Sequence, residues 1–490
     1  MGTKNHQLHI ALFPFMAQGH IIPFIDMAKL FVSRGLKATI ITTPLDAPFI
    51  HKKIENSTSP VHIFTIDLPT LEVGLPENCQ SLHLATSPEM QRKFFKAAGL
   101  LEPQLEQFLQ QNRPNCLVAD MFFPWATDVA SKFGIPTLIC HGTSGFSLCA
   151  TLCMFLYKPH LQVSSDSETI FIPNFPDEIE LTRKKLPDFI RDGVENEFSR
   201  LYDEVKKAEQ RSYGVLVNSF YELEPAYADH YTNVLGIKAW HIGPLWICNE
   251  GAKEDKVSID EQHECIKWLD SKKPNSVVYV CFGSLSNFVD AQLLEIAKAL
   301  ESSGQQFIWV VKKQNNDQEN QQDWLPEGFE KRTEGKGLII RGWAPQVKIL
   351  SHEAVGGFVT HCGWNSTLEA VCAGVPMATW PVFAEQFYNE KLITQVLRIG
   401  VGVGAKEWSR VAVESVKSDA IEKAVTRAMV GEEAEEMRNR ARGYAEMARR
   451  AVEVGGSSHS NLNSLIEELR SHDLLMSKDR LGLSCSFLDL

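Results

Sequence analysis

The sequence predicts an α/β protein of two doubly wound domains that face each other across a cleft. Strand-like apolar runs alternate with helix-like segments from the first residues, which is the pattern of a parallel sheet covered by helices. After a polar, charged stretch at 248–260, the same alternation begins again. At 490 residues, the chain is long enough for two such domains. We expect domains over 1–247 and 261–471 joined by the linker 248–260, a final helix that packs back on the first domain, and a loosely held tail at 472–490.

Apolar periodicity and turn residues place the individual elements. In the first half, strands are predicted at 9–14, 37–42, 62–66, 116–119, 137–140, 214–218 and 240–242, and helices at 20–34, 88–111, 124–133, 144–157 and 197–210. Prolines interrupt residues 163–191, which predicts an irregular surface loop. In the second half, strands are predicted at 276–282, 306–311, 337–341 and 355–360, helices at 291–303, 385–397, 411–429 and 434–454, and an exposed loop at 314–323.

Composition and charge limit the function classes. Hydrophobic residues make up 44% and charged residues 22%, as in a soluble globular protein. A net charge of −12 argues against a nucleic-acid groove or an anionic membrane surface as partner. The start shows no signal peptide, no apolar run reaches membrane-spanning length, and the eleven cysteines include no C-x-x-C pair. We expect a cytoplasmic monomer without a transmembrane segment.

The stretch 343–386 carries a dense set of polar and aromatic side chains. A predicted strand runs into the turn His361–Gly363 and then into a helix start. A helix N-terminus presents unsatisfied backbone N–H groups and a positive dipole end, so this turn suits a diphosphate. Trp343 offers a face to a ring, while Glu385 and Gln386 offer oxygens to hydroxyls. A single such turn is more often an ordinary strand-to-helix connection, but the whole string is richer in Trp and His than a crossover requires.

Two residues of the first half are candidates for acid–base chemistry. His20 follows the first predicted strand and Asp120 follows the fourth, and the carboxyl ends of parallel strands meet at one edge of a sheet. An imidazole can take a proton from a hydroxyl, and a carboxylate bonded to its second nitrogen fixes the tautomer and stabilises the cation. Taken singly, a histidine at a helix start is more often structural, and Asp120 is as readily a helix cap.

Other candidates lie at the same predicted edges. Gly283, Ser284 and Ser286 follow the first strand of the second half, where glycine lets a ligand approach the backbone and hydroxyls can donate to phosphate oxygens. The apolar candidates for a substrate pocket in the first half are Phe15, Met16, Phe122, Phe123 and Phe146. Such side chains are more often core, and a subset of them could instead line a pocket for a flat, hydrophobic substrate.

Motifs of other enzyme classes are absent from the sequence. It contains no G-x-S-x-G elbow, no G-x-x-x-x-G-K-[ST] phosphate loop and no G-x-G-x-x-G after the first strand. The missing glycine fingerprint weighs against the alternative of a nucleotide-dependent oxidoreductase. A D-x-D metal site is also missing, so helix ends and neutral donors would have to neutralise a diphosphate. We therefore expect no metal ion.

The 44 residues of 343–386, with HCGWNS near their centre, closely resemble the plant secondary product glycosyltransferase signature of family 1 UDP-dependent glycosyltransferases. The likeness extends to PFMAQGHIIPFIDMAKL near the start and to the CFGSLS turn. It implies the GT-B fold of two Rossmann-like domains and inverting, metal-independent transfer from a UDP-sugar to a small acceptor, without a cofactor. HIIPFIDMAKLF and TTPLDAPFI look most like the branch that acts on triterpenoid, steroid and flavonoid aglycones.

Position by position, the resemblance also implies roles for the candidates. The base and ribose of the donor would be contacted by Trp343, Ala344, Gln346 and Glu369. The diphosphate would be held by His361, Asn365, Ser366, Ser284 and Ser286, with Gly283 and Gly363 leaving room for it. The sugar would be contacted by Trp364, Glu385, Gln386 and Thr143. Glu385 stands where many relatives have Asp, and Gln at the last position is associated with glucose rather than galactose, which makes UDP-glucose the expected donor.

The resemblance makes His20 the general base and Asp120 its partner. It implies a single displacement that converts an α-linked donor into a β-glucoside of a small, hydrophobic acceptor. Two alternatives stay open. The protein could use UDP-galactose, UDP-xylose or UDP-glucuronate, or it could bind a UDP-sugar or an aglycone without turnover, in which case base or donor residues would be expected to be missing.

Overall fold

The computed structural model describes residues 7–55, 60–191, 193, 195–249, 264–283, 288–311, 325–409 and 416–480. Several predictions fall on residues outside these ranges. They are the linker from residue 250 onward, the loop at 314–323, the start of the predicted helix 411–429, the last ten residues of the predicted tail, and Ser284 and Ser286.

The first half is built around one parallel sheet. Its strands are β1 (His9–Phe13), β2 (Lys37–Thr42), β3 (Val61–Thr65), β4 (Cys116–Asp120), β5 (Thr137–Cys140), β6 (Thr169–Phe171), β7 (Glu180–Thr182), β8 (Gly214–Val217) and β9 (Ala239–His241). Seven of them form the sheet in the order β3-β2-β1-β4-β5-β8-β9, while β6 and β7 form a separate antiparallel hairpin. Strands β1 and β4 are buried along their whole length, because helices cover both faces of the sheet.

Nine helices accompany these strands within the described part of the first half. They are α1 (Gln18–Ser33), α2 (Ala47–Ile54), α3 (Pro88–Gly99), α4 (Glu102–Asn112), α5 (Ala126–Ser131), α6 (Gly145–Tyr157), α7 (Asp188–Arg191), α8 (Glu197–Arg211) and α9 (Pro225–Asp229). The Ser144 hydroxyl caps α6 by accepting the Ser147 backbone N–H at 3.0 Å. This cap fixes the start of α6 at the edge of the sheet where the site lies.

The second half repeats the architecture with a six-stranded parallel sheet. Its strands are β10 (Val277–Cys281), β11 (Gln306–Val311), β12 (Gly337–Arg341), β13 (Val355–Thr360), β14 (Met377–Thr379) and β15 (Gly400–Gly402), in the order β12-β11-β10-β13-β14-β15. Its helices are α10 (Glu264–Asp270), α11 (Asp290–Ser303), α12 (Phe329–Arg332), α13 (Gln346–Leu350), α14 (Trp364–Ala373), α15 (Gln386–Lys391), α16 (Ser418–Met429), α17 (Glu432–Val452) and α18 (Ser457–Arg480). The prediction of two doubly wound α/β domains is confirmed.

The last helix leaves the second sheet and returns to the first. The Ser458 hydroxyl donates to the Gly243 carbonyl at 2.6 Å. Apolar side chains of α18, among them Leu462 and Leu465, join the core that contains β1. Within the described ranges, no helix is long and apolar enough to cross a membrane.

Three sequence-based predictions are wrong in part. The single helix expected over 88–111 is two helices, because α3 ends at Gly99 and Pro103 stands in the first turn of α4, where a missing N–H costs nothing. The expected loop at 163–191 contains the β6–β7 hairpin and α7. The expected tail is helical as far as Arg480, since α18 is held on the first half.

Candidate active site

His20 and Asp120 meet at the carboxyl end of the first sheet. His20 lies in the first turn of α1, directly after β1, and Asp120 is the last residue of the neighbouring strand β4. The His20 Nδ1 and Asp120 Oδ2 atoms are 2.7 Å apart. The other carboxylate oxygen accepts the Phe122 backbone N–H at 3.1 Å. The Asp120 side chain is 1% exposed and that of His20 is 25% exposed, so the carboxylate is enclosed while the imidazole reaches the cleft.

The surroundings of His20 favour its protonated form. Burial lowers the pKa of His20, but the charge and hydrogen bond of Asp120, together with the charge of Glu385, outweigh burial and hold the pKa above 6.5. Glu385 belongs to the second half of the chain. The electrostatic environment of the imidazole is therefore set from both sides of the cleft.

Aromatic rings lie beside the imidazole. The ring centroids of Phe15 and Phe122 are 5.8 Å and 5.5 Å from that of His20. Phe95 of α3 packs at 5.1 Å from both phenylalanines. The sequence did not single out Phe95, because helical periodicity does not tell which ring faces a distant turn. Phe198 of α8 extends the group, 5.0 Å from Phe95.

The other apolar candidates are fully buried, and so is Phe15, so that Phe122 alone of the five candidates is partly exposed beside His20. Phe123 is 1% exposed and stacks on Phe13 at 4.0 Å. Phe146 is buried against Tyr227, with ring centroids 4.7 Å apart. Met16 is also buried, and its backbone carbonyl accepts the Ser81 hydroxyl at 3.2 Å. For these three residues, the structure favours the alternative of core packing.

The turn between β13 and α14 has tight steric requirements. Cys362 adopts a left-handed conformation with φ of 64°. A Cβ atom at Gly283 would lie 2.6 Å from His361 Cε1, and one at Gly363 would lie 2.4 Å from His361 Nε2. Both positions therefore need glycine if the His361 ring is to lie between them. The glycines leave room for this imidazole at the predicted diphosphate site.

The start of α14 contacts the first half directly. The Asn365 side-chain amide donates to the Gly19 carbonyl, next to His20, at 2.8 Å. The Trp364 indole N–H donates to the Asn218 carbonyl at 2.8 Å, and its side chain is 2% exposed. The predicted sugar contact of Trp364 would thus involve its backbone, because the indole fixes the interface between the halves.

The residues predicted to contact the base of the donor are at least partly exposed, and the two predicted to contact its ribose are hydrogen-bonded to each other. The Trp343 side chain is 76% exposed, with half-buried Ala344 following it. The Gln346 amide donates to Glu369 Oε2 at 2.7 Å and to the Ser366 hydroxyl at 2.9 Å. Burial raises the pKa of Glu369 to about 7, although the bond from Gln346 opposes the rise. The structure therefore brings Gln346 of α13 together with Ser366 and Glu369 of α14, and Trp343 and Ala344 directly precede α13.

Two of the predicted sugar residues, Glu385 and Gln386, lie where the turn 383–385, called the sugar turn below, leads into α15. The Gln386 side-chain oxygen accepts the backbone N–H groups of Val382 and Phe383 at 2.8 Å and 3.0 Å. This oxygen is engaged, so the Gln386 amide would meet a sugar as an N–H donor. Burial raises the pKa of Glu385, an effect that nearby hydrogen-bond donors and His20 oppose. Ala384, just before it, is left-handed with φ of 53°.

Asn389 contacts the sugar turn, and Thr143 is a further residue predicted to contact the sugar. The Thr143 hydroxyl, between β5 and α6, is buried and has no hydrogen-bond partner among the described residues. Asn389 of α15 donates to Glu385 Oε1 at 3.1 Å. Asn389 could not be selected from the sequence, since an asparagine inside a helix has no motif of its own. Among the described residues, no group of three His, Cys, Asp or Glu is placed to hold a metal ion.

Comparisons with known proteins identify the family of the chain. A family model described as UDP-glucoronosyl and UDP-glucosyl transferase matches residues 78–432. UDP-glucose flavonoid 3-O-glucosyltransferase 7 of Fragaria ananassa is 57% identical, over 96% of this chain and 98% of that protein. Scopoletin glucosyltransferase of Nicotiana tabacum is 55% identical, over 95% of this chain and 98% of that protein.

A solved structure gives the same picture at the level of the fold. The crystal structure of Glycyrrhiza uralensis UGT73P12 complexed with glycyrrhetinic acid 3-O-monoglucuronide aligns with a TM-score of 0.89 and 40% identity, covering 98% of this chain and 99% of that chain. The relatives and the solved structure match nearly the full length, and the family model matches most of it. The chain therefore belongs to the plant UDP-glycosyltransferases and has their GT-B fold.

Proposed function

We propose that the protein transfers glucose from UDP-glucose to a hydroxyl group of a small, hydrophobic plant secondary metabolite and forms a β-O-glucoside. The acceptor would be a triterpenoid or steroidal sapogenin or a flavonoid. The observation that carries the proposal is the 2.7 Å bond between His20 Nδ1 and Asp120 Oδ2. This histidine–aspartate pair faces the start of α14, where the diphosphate of the donor is predicted to bind, because Asn365 contacts Gly19 next to His20.

The chemistry is a single displacement. The acceptor hydroxyl gives its proton to His20 Nε2 while its oxygen attacks the anomeric carbon, and the bond from that carbon to the UDP oxygen breaks. Asp120 stabilises the imidazolium that forms. Attack from the face opposite UDP inverts an α-linked donor to a β-glucoside.

The second half would stabilise the leaving group. The α14 N-terminus directs backbone N–H groups and the positive end of the helix dipole at the diphosphate, so the departing UDP would not require a metal ion or any cofactor. Exposed Trp343 would stack on uracil, and the Gln346–Glu369 pair would face the ribose. Gln386 and Glu385 would contact glucose.

The acceptor class is supported by the rings beside His20. Phe15, Phe95 and Phe122 give the base an apolar surround that suits a flat or fused-ring aglycone. The relatives named for flavonoid and scopoletin transfer act on compounds of this kind. The alternative donors UDP-galactose, UDP-xylose and UDP-glucuronate would fit the same mechanism.

An acceptor panel tests the proposal. Sapogenins, flavonoids and coumarins are incubated with each of the four UDP-sugars, products are identified by mass, and the anomeric configuration is determined by NMR. We expect β-glucosides from UDP-glucose. An α-linked product would overturn the mechanism, and failure of UDP-glucose beside success of another donor would establish the alternative.

The base is tested by substitution. His20→Ala should abolish transfer and leave UDP binding intact, because the nucleotide contacts lie in the second half. His51→Ala removes an exposed histidine of the same half and serves as the matched control. Transfer by the His20 variant at the wild-type rate would exclude His20 as the base.

A further inference from the structure

Asn389 lies where the two halves meet, and its side chain is fully buried. Its Oδ1 atom accepts the hydroxyls of Ser147 at 2.7 Å and Ser144 at 3.2 Å, both from the first half at the start of α6. Its Nδ2 atom donates to the Cys362 carbonyl at 2.8 Å and to Glu385 Oε1 at 3.1 Å, both in the second half. The Asn389 side chain thus connects helix α6 of the first half with the turn His361–Gly363 and with Glu385, which is predicted to contact the sugar.

These four bonds use the whole hydrogen-bonding capacity of an amide, whose oxygen accepts two bonds and whose nitrogen donates two. The orientation is fixed, because neither the Cys362 carbonyl nor an ionised Glu385 can donate a proton. The serine hydroxyls must therefore be the donors to Oδ1. Ser144 is itself held in place as the cap of α6.

We propose that Asn389 is a positioning residue that orients the Glu385 carboxylate toward the donor sugar when the two halves are closed. With the halves apart, Oδ1 would lose both hydroxyl donors, and only the two Nδ2 bonds within the second half would still oppose rotation of the amide away from Glu385. Closure of the cleft and completion of the sugar site are then one event. This inference rests on the proposed function, in which Glu385 contacts glucose.

The carboxylate also needs such support for electrostatic reasons. Glu385 is partly buried, and an ionised carboxylate away from water requires donors that compensate for lost hydration. Asn389 supplies one of them. It also keeps the negative charge at a fixed place relative to His20, whose pKa that charge helps to raise.

The direct test is Asn389→Asp in the full-length protein. Aspartate keeps the two acceptors for Ser144 and Ser147, loses both N–H donors and places a negative oxygen against Glu385. We expect kcat/KM for UDP-glucose to fall about tenfold to a hundredfold, the range of a lost hydrogen bond to a charged group. Because the bond to the Cys362 carbonyl is lost as well, UDP affinity is measured beside it, and a fall in UDP affinity as large as the fall in kcat/KM would assign the effect to the diphosphate turn and overturn the inference. Gln395→Glu makes the same change of charge at an exposed position nearby and should leave both quantities unchanged.

A double-mutant cycle separates positioning from a general structural effect. If Asn389 acts through Glu385, the variant carrying both Glu385→Gln and Asn389→Asp should be no less active than Glu385→Gln alone. Additive losses, or wild-type kcat/KM for Asn389→Asp, would overturn the inference. Wild-type transfer by Glu385→Gln is a different failure, because it removes Glu385 from the proposed function and is seen in that single variant.

A second variant covers the case in which Asn389→Asp does not fold. Ser147→Ala leaves every contact within the second half intact and removes the shorter of the two hydrogen bonds that Asn389 accepts from the first half. We expect a reduced kcat/KM for UDP-glucose with unchanged UDP affinity. Wild-type kinetics for Ser147→Ala would show that the shorter bond from the first half does not position Glu385 and would overturn the inference.

Discussion

The Asp120 carboxylate has two effects on His20, one of orientation and one of charge. It accepts the Nδ1 proton at 2.7 Å, which leaves Nε2 as the atom that can receive the proton of an acceptor. It also raises the pKa of His20 against the effect of burial. Because a base must be neutral to act, the raised pKa means that transfer should increase as the pH rises through that value.

Asp120→Asn separates the two effects. Asparagine can still accept the Nδ1 proton, but without the charge of Asp120 the pKa of His20 should fall, because burial continues to lower it. We expect the acidic limb of the kcat/KM–pH profile to move to lower pH while the maximal rate falls by about a hundredfold or more. Steady-state kinetics from pH 5 to 9, roughly the range that brackets an ordinary histidine, measure both changes.

The exposed Asp128 provides the comparison for this variant. It pairs with Arg211 on the surface, so Asp128→Asn should leave the profile where it is. An acidic limb that stays in place or moves to higher pH in Asp120→Asn would show that Asp120 does not control the titration of His20.

At the scale of elements, a strap formed by residues 184–191 of the first half contacts the second half. The Lys184 carbonyl accepts the Trp408 backbone N–H at 2.9 Å. Phe189 packs on the Trp408 ring with centroids 6.2 Å apart, and Arg191 pairs with Glu407 at 3.7 Å. Trp408 in turn donates its indole N–H to the Ala384 carbonyl at 3.0 Å. The strap therefore supports the turn that carries Glu385.

The sequence predicted the regular elements well and this strap poorly. Strands β2, β5 and β11 have the bounds that the sequence predicted, because each contains a short apolar run that is buried in the sheet. The strap contains Pro187, and its contacts with Glu407 and Trp408 lie more than two hundred positions away in the sequence. Local patterns carry no information on such contacts, which is why the region was expected to be irregular.

The same reasoning explains which site residues could be predicted from the sequence. His361 and Gly363 lie at a strand-to-helix turn, where the fold class alone makes a ligand site expected. Asn389 and Phe95 are single residues inside helices, and their roles depend on which distant residues pack against them. The resemblance to the family identified the residues expected to contact substrate. The contacts that hold those residues in place could be identified only from the structure.

Trp408→Phe tests the support of the sugar turn. Phenylalanine fills most of the buried volume but removes the indole donor, so the left-handed Ala384 loses the bond that holds its carbonyl. We expect kcat/KM for UDP-glucose to fall by about threefold to tenfold, the effect of one lost hydrogen bond. Adding Ala384→Gly should restore part of the loss, because glycine adopts positive φ without strain.

Trp246→Phe is the matched control for this pair. The Trp246 indole nitrogen is buried without a hydrogen-bond partner in the part of the chain that the structure describes, so its removal should not slow transfer. Equal losses in the two tryptophan variants, or no restoration by glycine, would contradict a role for the Trp408–Ala384 bond.

At the scale of the whole molecule, the two halves are tied together at the cleft and again by the return of the chain. Trp364, Asn365 and Asn389 form hydrogen bonds across the cleft. Helix α18 then places Leu462 and Leu465 in the core of the first half. The first domain is thus completed by residues that follow the second domain in the sequence, and its stability should depend on them.

Leu465→Ala tests this dependence in comparison with Leu474→Ala on the same helix. Leu465 is fully buried, whereas Leu474 is 63% exposed. Removing the buried side chain should lower the free energy of unfolding by about 2 to 5 kcal/mol, while the exposed site should change it by no more than about 0.5 kcal/mol. Urea unfolding followed by tryptophan fluorescence measures the difference, and proteolysis of the variant should begin in the first half. Equal stability of the two variants would mean that α18 does not contribute to the core of the first domain.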